Sequence, residues 1–188
     1  MKNNCPTNNK SAKGFTLIEL LIVIAVLGVL AAVVLVAINP LEQLARGRDS
    51  GRKTTVGQLK NAAQAFYTSH NATYSSHTGG WVTNLTNAGE LKAIPASISY
   101  NASGSVCTAT IAQASINSAA ENGWCYYTNY TGDAVVYTRL ESKSEITKCP
   151  PTTYPVPFFL WNSAEGKAGV VCTATGMEPT GFLPFTFY

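Results

Sequence analysis

A run of 19 residues, 20–38, contains no charged or strongly polar side chain, and this constrains the chain more than anything else in it. About 20 apolar residues in a helix reach across the hydrocarbon core of a bilayer. Inside lipid the run must be helical, because only its own carbonyls can take its backbone N–H groups. It is apolar on every side, as a lipid-embedded helix should be. Residues 1–14 precede it as a polar leader carrying Lys2, Lys10 and Lys13, expected to be disordered and cytoplasmic. Glu19 stands inside the start of the helix. A carboxylate in the bilayer core costs about 2.5–3.5 kcal/mol on insertion scales and marks a functional position. The plainer reading is that Glu19 reaches the headgroups and has no role.

The helical pattern runs on past the apolar segment. Val56, Leu59, Ala63 and Phe66 recur on one helical face, with Arg52, Lys53, Lys60 and Asn61 expected elsewhere. Residues 15–70 thus read as one stem helix, whose 55 or so residues would reach about 80 Å. The stripe should pack on the chain's own head. Pro40 lacks an N–H for Val36 and crowds its carbonyl, which predicts a kink there. Gly28, Gly47, Gly51 and Gly57 each weaken the helix by roughly 1 kcal/mol relative to alanine.

From residue 71 the composition turns to Thr, Ser, Asn, Gly and aromatics. Residues 81–88 suit a short helix that stops at Gly89. Strand patterns at 124–130 and 134–140 flank Thr131-Gly132-Asp133, a hairpin signal. A second hairpin pairs 156–161 with 169–172 across a longer loop. Pro155 and Pro157 would put the start of that strand at a sheet edge or outside the sheet. Residues 182–188 form a terminal aromatic strand candidate, and 107–122 a loop or weak helix. The expected class is α+β: a long stem helix under a small antiparallel sheet. The divisions are residues 1–14, the stem 15–70 with its membrane half 15–38, and a head at 71–188.

Charge and cysteine usage narrow the function. Charged residues make up 12% of the chain, with a net charge of +3. The three leader lysines account for that excess. The segment from 71 onward carries Lys92, Arg139, Lys143, Lys148 and Lys167 against seven carboxylates, a balance of −2. No clustered basic face argues for nucleic acid. Cys5 lies in the leader. Cys107, Cys125, Cys149 and Cys172 all lie beyond the span, an even number that suggests two disulfides in an oxidising place. Three pairings are possible, and the local ones, Cys107–Cys125 and Cys149–Cys172, close loops of fewer than 30 residues. Each would add about 3 kcal/mol in the chain-entropy model. Four buried thiols are the alternative; no Cys/His spacing fits zinc. His70 and His77 stand seven apart in a polar segment and give no ligand pair. No catalytic motif, cofactor loop or metal set is present. Asp133 beside Gly132 reads as turn chemistry rather than a calcium ligand. The N-x-S/T sites at Asn71, Asn84, Asn101 and Asn129 read as composition alone.

The junction Lys13-Gly14-Phe15-Thr16-Leu17-Ile18-Glu19 closely resembles the signal of bacterial type IV pilins and type II secretion pseudopilins. An ordinary secretory signal would instead be cut after its apolar run, near Ala31-Ala32 or Ala37. The resemblance is specific over residues 13–67 and general beyond. It implies a cut between Gly14 and Phe15 by prepilin peptidase, and methylation of the new Phe15 amine. It implies a leader inside and the bulk outside; charge alone gives no orientation, since Arg46, Arg48, Arg52 and Lys53 also flank the span. Glu19 of an incoming subunit would pair with the Phe15 amine of a neighbour, and the helix between Gly28 and Pro40 would unwind on assembly. Residues 91–95 resemble the link between stem and sheet in such proteins. The implied function is a structural subunit of a type IV pilus or pilus-like filament. The alternatives are a secretion pseudopilin, or a minor pilin acting as an adhesin or DNA-uptake module. Partners would be identical or related subunits, the peptidase, an inner-membrane assembly platform and, before assembly, the lipid bilayer. Neither an enzyme nor a cofactor is implied.

Overall fold

The stem expected as one helix is two, α1 (Leu17–Ile38) and α2 (Pro40–Ser69). A computed structural model describes residues 14–76, 80–98, 116–121, 123–129, 132–175, 177–179 and 185–188. The break is at Asn39, which adopts left-handed φ 46° and ψ 78°. Its cause is Pro40, which disfavours the α conformation of the residue before it. Asn tolerates the left-handed region better than most residues. Pro40 then opens α2 at the position where its missing N–H costs nothing. α1 runs unbroken through Gly28. By contacts the chain divides into a unit ending at Pro40 and a second unit, Leu41–Tyr188.

In the second unit α2 lies on one face of an antiparallel sheet. Val56, Leu59, Ala62 and Ala63 pack against Trp81, Val82 and Leu85 of α3 (Trp81–Asn87) and against the sheet residues Trp124, Tyr126, Val136 and Trp161. Phe66 packs at the edge of this core. Each large apolar side chain so buried adds about 1.5–3 kcal/mol. Trp81 stacks on Tyr126 with ring centroids 4.6 Å apart. The α3 helix stops at Gly89, which takes φ +80°, as the sequence led one to expect.

The sheet has the order β1 (Ile116–Glu121), β2 (Trp124–Asn129), β3 (Ala134–Arg139), β4 (Val156–Asn162), β5 (Lys167–Thr173). Both expected hairpins are present, β2–β3 and β4–β5. One expectation is corrected and one is met. Strand β1 lies within the stretch read as loop or weak helix, and pairs Glu121 with Trp124 across a tight turn. Ladder pairing there overrides a poor intrinsic β-propensity. Strand β4 lies between β3 and β5, but its start, Val156 and Pro157, pairs only with β5, which is the edge position the prolines led one to expect. Pro157 is tolerated because it sits at the end of the ladder. Its carbonyl accepts Leu140 N–H at 3.0 Å, so the side that lacks a donor faces residues beyond the end of β3.

The opposite face of the sheet has its own core. Tyr127, Val135, Tyr137, Phe158, Leu160 and Val171 are buried there, with Phe185 and Phe187 against them. The expected terminal strand is reduced to a bridge between Val171 and Phe187, with Tyr188 N–H on Val170 O at 2.9 Å; residues 180–184 lie outside the described residues. The Cys149–Cys172 disulfide, with Cα atoms 5.6 Å apart, ties the segment before β4 to β5. Cys125 is buried and disulfide-bonded; Cys107 lies outside the described residues, as does His77.

Gly169 is the tight point beneath the terminal segment. A Cβ there would come within 2.7 Å of the Phe187 ring. Gly169→Ala should therefore destabilise the protein by about 1–2 kcal/mol through overpacking. In a denaturant series the double variant Gly169→Ala/Phe187→Ala should lose no more than Phe187→Ala alone. Additive losses would show that the two residues do not meet.

Candidate functional site

The functional residues expected at the N-terminus lie at the start of α1. Gly14 has open space around its Cα, and Phe15 is 89% exposed. Thr16 is the N-cap, in extended conformation with φ −80° and ψ 150°. The Gly14–Phe15 bond therefore lies outside the helix. Thr16 and Glu19 form a capping box: Thr16 Oγ1 accepts Glu19 N–H at 3.3 Å, while Glu19 Oε2 accepts Thr16 N–H at 3.1 Å and the Thr16 hydroxyl at 2.9 Å. This arrangement satisfies helix-end donors that would otherwise lack partners. Both contacts use one carboxylate oxygen. Glu19 Oε1 has no hydrogen bond among the described residues.

The α1 helix buries none of its side chains. At 22 residues it is long and apolar enough to cross a membrane. A Cβ added at Gly28 would have nothing within 4 Å beyond the helix's own backbone among the described residues.

A second constellation, missed in the sequence, fastens α2 to the segment between β3 and β4. Arg52 does not lie off the packed face as expected. It stands four residues before Val56 on the same stripe, and both it and Asp49 are at most 4% exposed. Asp49 accepts the backbone N–H of Glu141 at 3.1 Å and of Ser142 at 2.8 Å. Arg52 bonds Asp49 Oδ1 at 3.1 Å and the carbonyl of Arg139 at 3.2 Å, and pairs with Glu141 at 3.4 Å. Arg48 also pairs with Glu141. Around this buried pair lie two flanking contacts to α4 (Lys143–Ile146). Glu42, itself paired with Arg46, accepts the N–H groups of Lys143 and Ser144 at 3.0 and 3.2 Å, at the helix start where a carboxylate is favoured. Glu145 takes Lys53 at 2.6 Å and Lys148 at 2.9 Å. The spacing Glu42, Ala45, Asp49, Arg52, Val56 follows the same helical face as the apolar stripe, and that was the signal available in the sequence.

The electrostatics of this clasp have a direction. The Lys143 backbone N–H, with Arg46 and the Ser144 N–H, holds the Glu42 carboxyl below the usual range. Burial pushes Glu145 up, but hydrogen bonds and charge from Lys53 and Lys148 outweigh it and leave it lowered. Elsewhere burial raises the Tyr74, Tyr126 and Tyr127 hydroxyls, so all three are neutral. Asp133 accepts the Ser163 hydroxyl at 3.2 Å beside the β2–β3 turn. His70 is exposed and stacks on Phe66. Among the described residues, no group of three His, Cys, Asp or Glu side chains is placed to hold a metal.

A family model described as the prokaryotic N-terminal methylation motif matches residues 9–35. The type IV wide pilus major component of Thermus thermophilus is 30% identical over 152 residues, covering 78% of this chain and 99% of its own length. A fimbrial protein of Neisseria meningitidis serogroup A is 36% identical over 113 residues, covering 58% of this chain and 61% of its own. No solved structure matches significantly.

Two outcomes follow for the clasp. Asp49→Asn should destabilise the second unit by about 3 kcal/mol, because it leaves a buried guanidinium short of counter-charge; urea denaturation of the purified protein measures this. Glu42 and Glu145 are both lowered, so the stability they add is present above the unfolded carboxyl pKa of about 4.3. It is lost as pH falls through their lower folded values. Thermal melts should show this loss below about pH 4, and Glu145→Gln should flatten part of it.

Proposed function

This chain belongs to the type IV pilin family, and on that footing we propose that it is made as a membrane-anchored precursor and cut between Gly14 and Phe15 by prepilin peptidase. It is then methylated at Phe15 and built through α1 into a helical filament. The chain is a structural subunit, as its pilin relatives are. Residues 1–14 are the leader, 15–38 the membrane half of the stem and 71–188 the disulfide-stabilised head. The leader starts on the cytoplasmic side, and the head ends outside, on the filament.

The observation that carries this reading is the division of labour in the Glu19 carboxylate. One oxygen caps the chain's own helix through Thr16, and Oε1 has no hydrogen bond among the described residues. Cutting after Gly14 turns the Phe15 amide into a cationic amine. The amine of one subunit can then take Oε1 of another without undoing the cap. In an apolar surrounding such a pair fixes register, because leaving either charge alone is heavily penalised. The exposed side chains of α1 are the surface that lipid covers first and neighbouring α1 helices cover afterwards. Unwinding between Gly28 and Pro40 would let these helices pack more closely; α1 ends at Asn39, next to Pro40, where helix is already interrupted.

Mass spectrometry of the mature protein should give Phe15 as its first residue, carrying a methyl group, and Gly14→Val should leave the leader attached. A start after Ala32 or Ala37 would rule out the proposed cut. Glu19→Gln separates the two uses of the side chain, since an amide oxygen still caps the helix but carries no charge. Cells with this variant as their sole subunit should process it normally and yield at least about tenfold less sheared polymer, in line with loss of a buried pair. Undiminished polymer would mean that Glu19 acts through capping alone.

A further inference from the structure

Four of the five cations on α2 are committed within the chain: Arg46 to Glu42, Arg48 to Glu141, Arg52 to Asp49 and Glu141, and Lys53 to Glu145. Lys60 is the exception. It is half-buried and makes no ion pair or hydrogen bond among the described residues. It lines an open groove of about 410 Å³ between α2 and the β4–β5 hairpin, together with Gly57, Phe159, Trp161 and Ala168. The groove exists because two facing positions are small. Gly57 has nothing within 4 Å of where a Cβ would stand, and Ala168 pairs opposite the much larger Trp161. The site thus offers the Lys60 ammonium, without an ion pair among the described residues, beside an aromatic and aliphatic floor over whose Phe159 ring Lys53 Nζ stands at 5.9 Å.

The complementary feature is on the same molecule. Glu90, in the turn after α3, accepts the Ser69 hydroxyl at 2.8 Å but pairs with no cation among the described residues. Four residues on, Ile94 is 42% exposed. Glu90 and Ile94, with the exposed Lys92 between them, set an acid and an apolar side chain in one short turn, to match the Lys60 ammonium and the apolar floor of the groove. Within one chain the two do not pair. The Ser69 contact puts Glu90 at the C-terminal end of α2, nine residues and about 14 Å along the helix from Lys60.

We propose that the groove of one subunit receives the residue 89–94 turn of a second copy, with Glu90 on Lys60 and Ile94 on the Phe159 floor. This rests on the filament reading above and adds to it a contact between heads. The contact joins two different patches and is therefore heterologous. Repeated, it gives an open helical array rather than a closed dimer, and the offset of the patches along α2 displaces each copy along the stem. Charge pairing fixes which residues meet, and the apolar part supplies the buried area.

The test uses cells that make the full chain as sole subunit, comparing sheared polymer with membrane-bound subunit. Lys60→Glu should cut polymer several-fold, and Lys60→Glu with Glu90→Lys should restore most of it. Gly57→Leu puts a side chain into the groove at a position where a Cβ has nothing within 4 Å among the described residues, and should cut polymer at an unchanged membrane level. Independently of any folding effect, Lys60→Cys and Glu90→Cys in one chain should give a ladder of multimers with a short bis-maleimide on filaments, and neither single variant should. A ladder with failed charge-swap rescue would keep the groove contact and overturn the Lys60–Glu90 pairing. Wild-type polymer from Lys60→Glu and Gly57→Leu, with no ladder from the double cysteine, would overturn the contact while leaving the filament reading intact. A wild-type strain that forms no polymer would overturn the filament reading itself.

Discussion

The 22 residues of α1 bury nothing, and this exposed apolar surface is the constraint on which the protein's behaviour depends. Water cannot be its lasting environment, since a contiguous apolar surface this large marks contact with lipid or with other protein. Lipid accepts it as a single helix, because every backbone group between its ends is bonded internally. Neighbouring copies accept it if a device fixes their register, since apolar packing alone is non-directional. In the proposed assembly the Glu19 carboxylate is such a device: one oxygen holds the helix end, and the other has no hydrogen bond among the described residues.

A helix that is pulled into lipid or a filament core must be fastened firmly to what it carries. In the second unit α2 does this by two means along one face. Its C-terminal half uses apolar burial, centred on Val56, Leu59 and Ala63. Its N-terminal half uses charge. Asp49 binds two successive backbone N–H groups, and Arg52 neutralises it from beneath. A buried pair of this sort contributes less net stability than its Coulomb attraction implies, because both ions are desolvated. What it supplies is geometry: carboxylate oxygens accept Glu141 and Ser142 in only one register of helix against strand end. Glu42, half-buried, and Glu145, buried, repeat the pattern beside it, where their attachment depends on pH.

The long apolar helix, the N-terminal methylation motif, the α3 stop at Gly89 and two of the sheet's hairpins were legible because each rests on local chemistry. Other features were not. The clasp was hidden because charged residues are ordinarily assigned to solvent, so Arg52 was set off the stripe although its spacing from Val56 put it there. Strand β1 was obscured by its Ser, Ala and Asn content. Yet the Asn122-Gly123 dipeptide that follows it is a strong two-residue hairpin signal, and Gly123 takes φ +81°. The Thr16–Glu19 capping box was equally readable as a Thr-x-x-Glu pattern ahead of an apolar run. Pro157, by contrast, was read correctly as marking an edge at the strand's start, since it lies just past the end of β3 and pairs only with β5. The Lys60 groove depends on which α2 face meets the sheet, and no local pattern reveals that.

The central claim is that α1 of the cut chain becomes the shared core of a filament. An electron cryomicroscopy map of filaments sheared from cells producing this chain tests it most directly. The account predicts α1 helices bundled at the filament axis, density beginning at Phe15, and each Phe15 amine within ion-pairing distance of Glu19 of another subunit. Density for residues before Phe15, or α1 helices lying on the filament exterior, would contradict it.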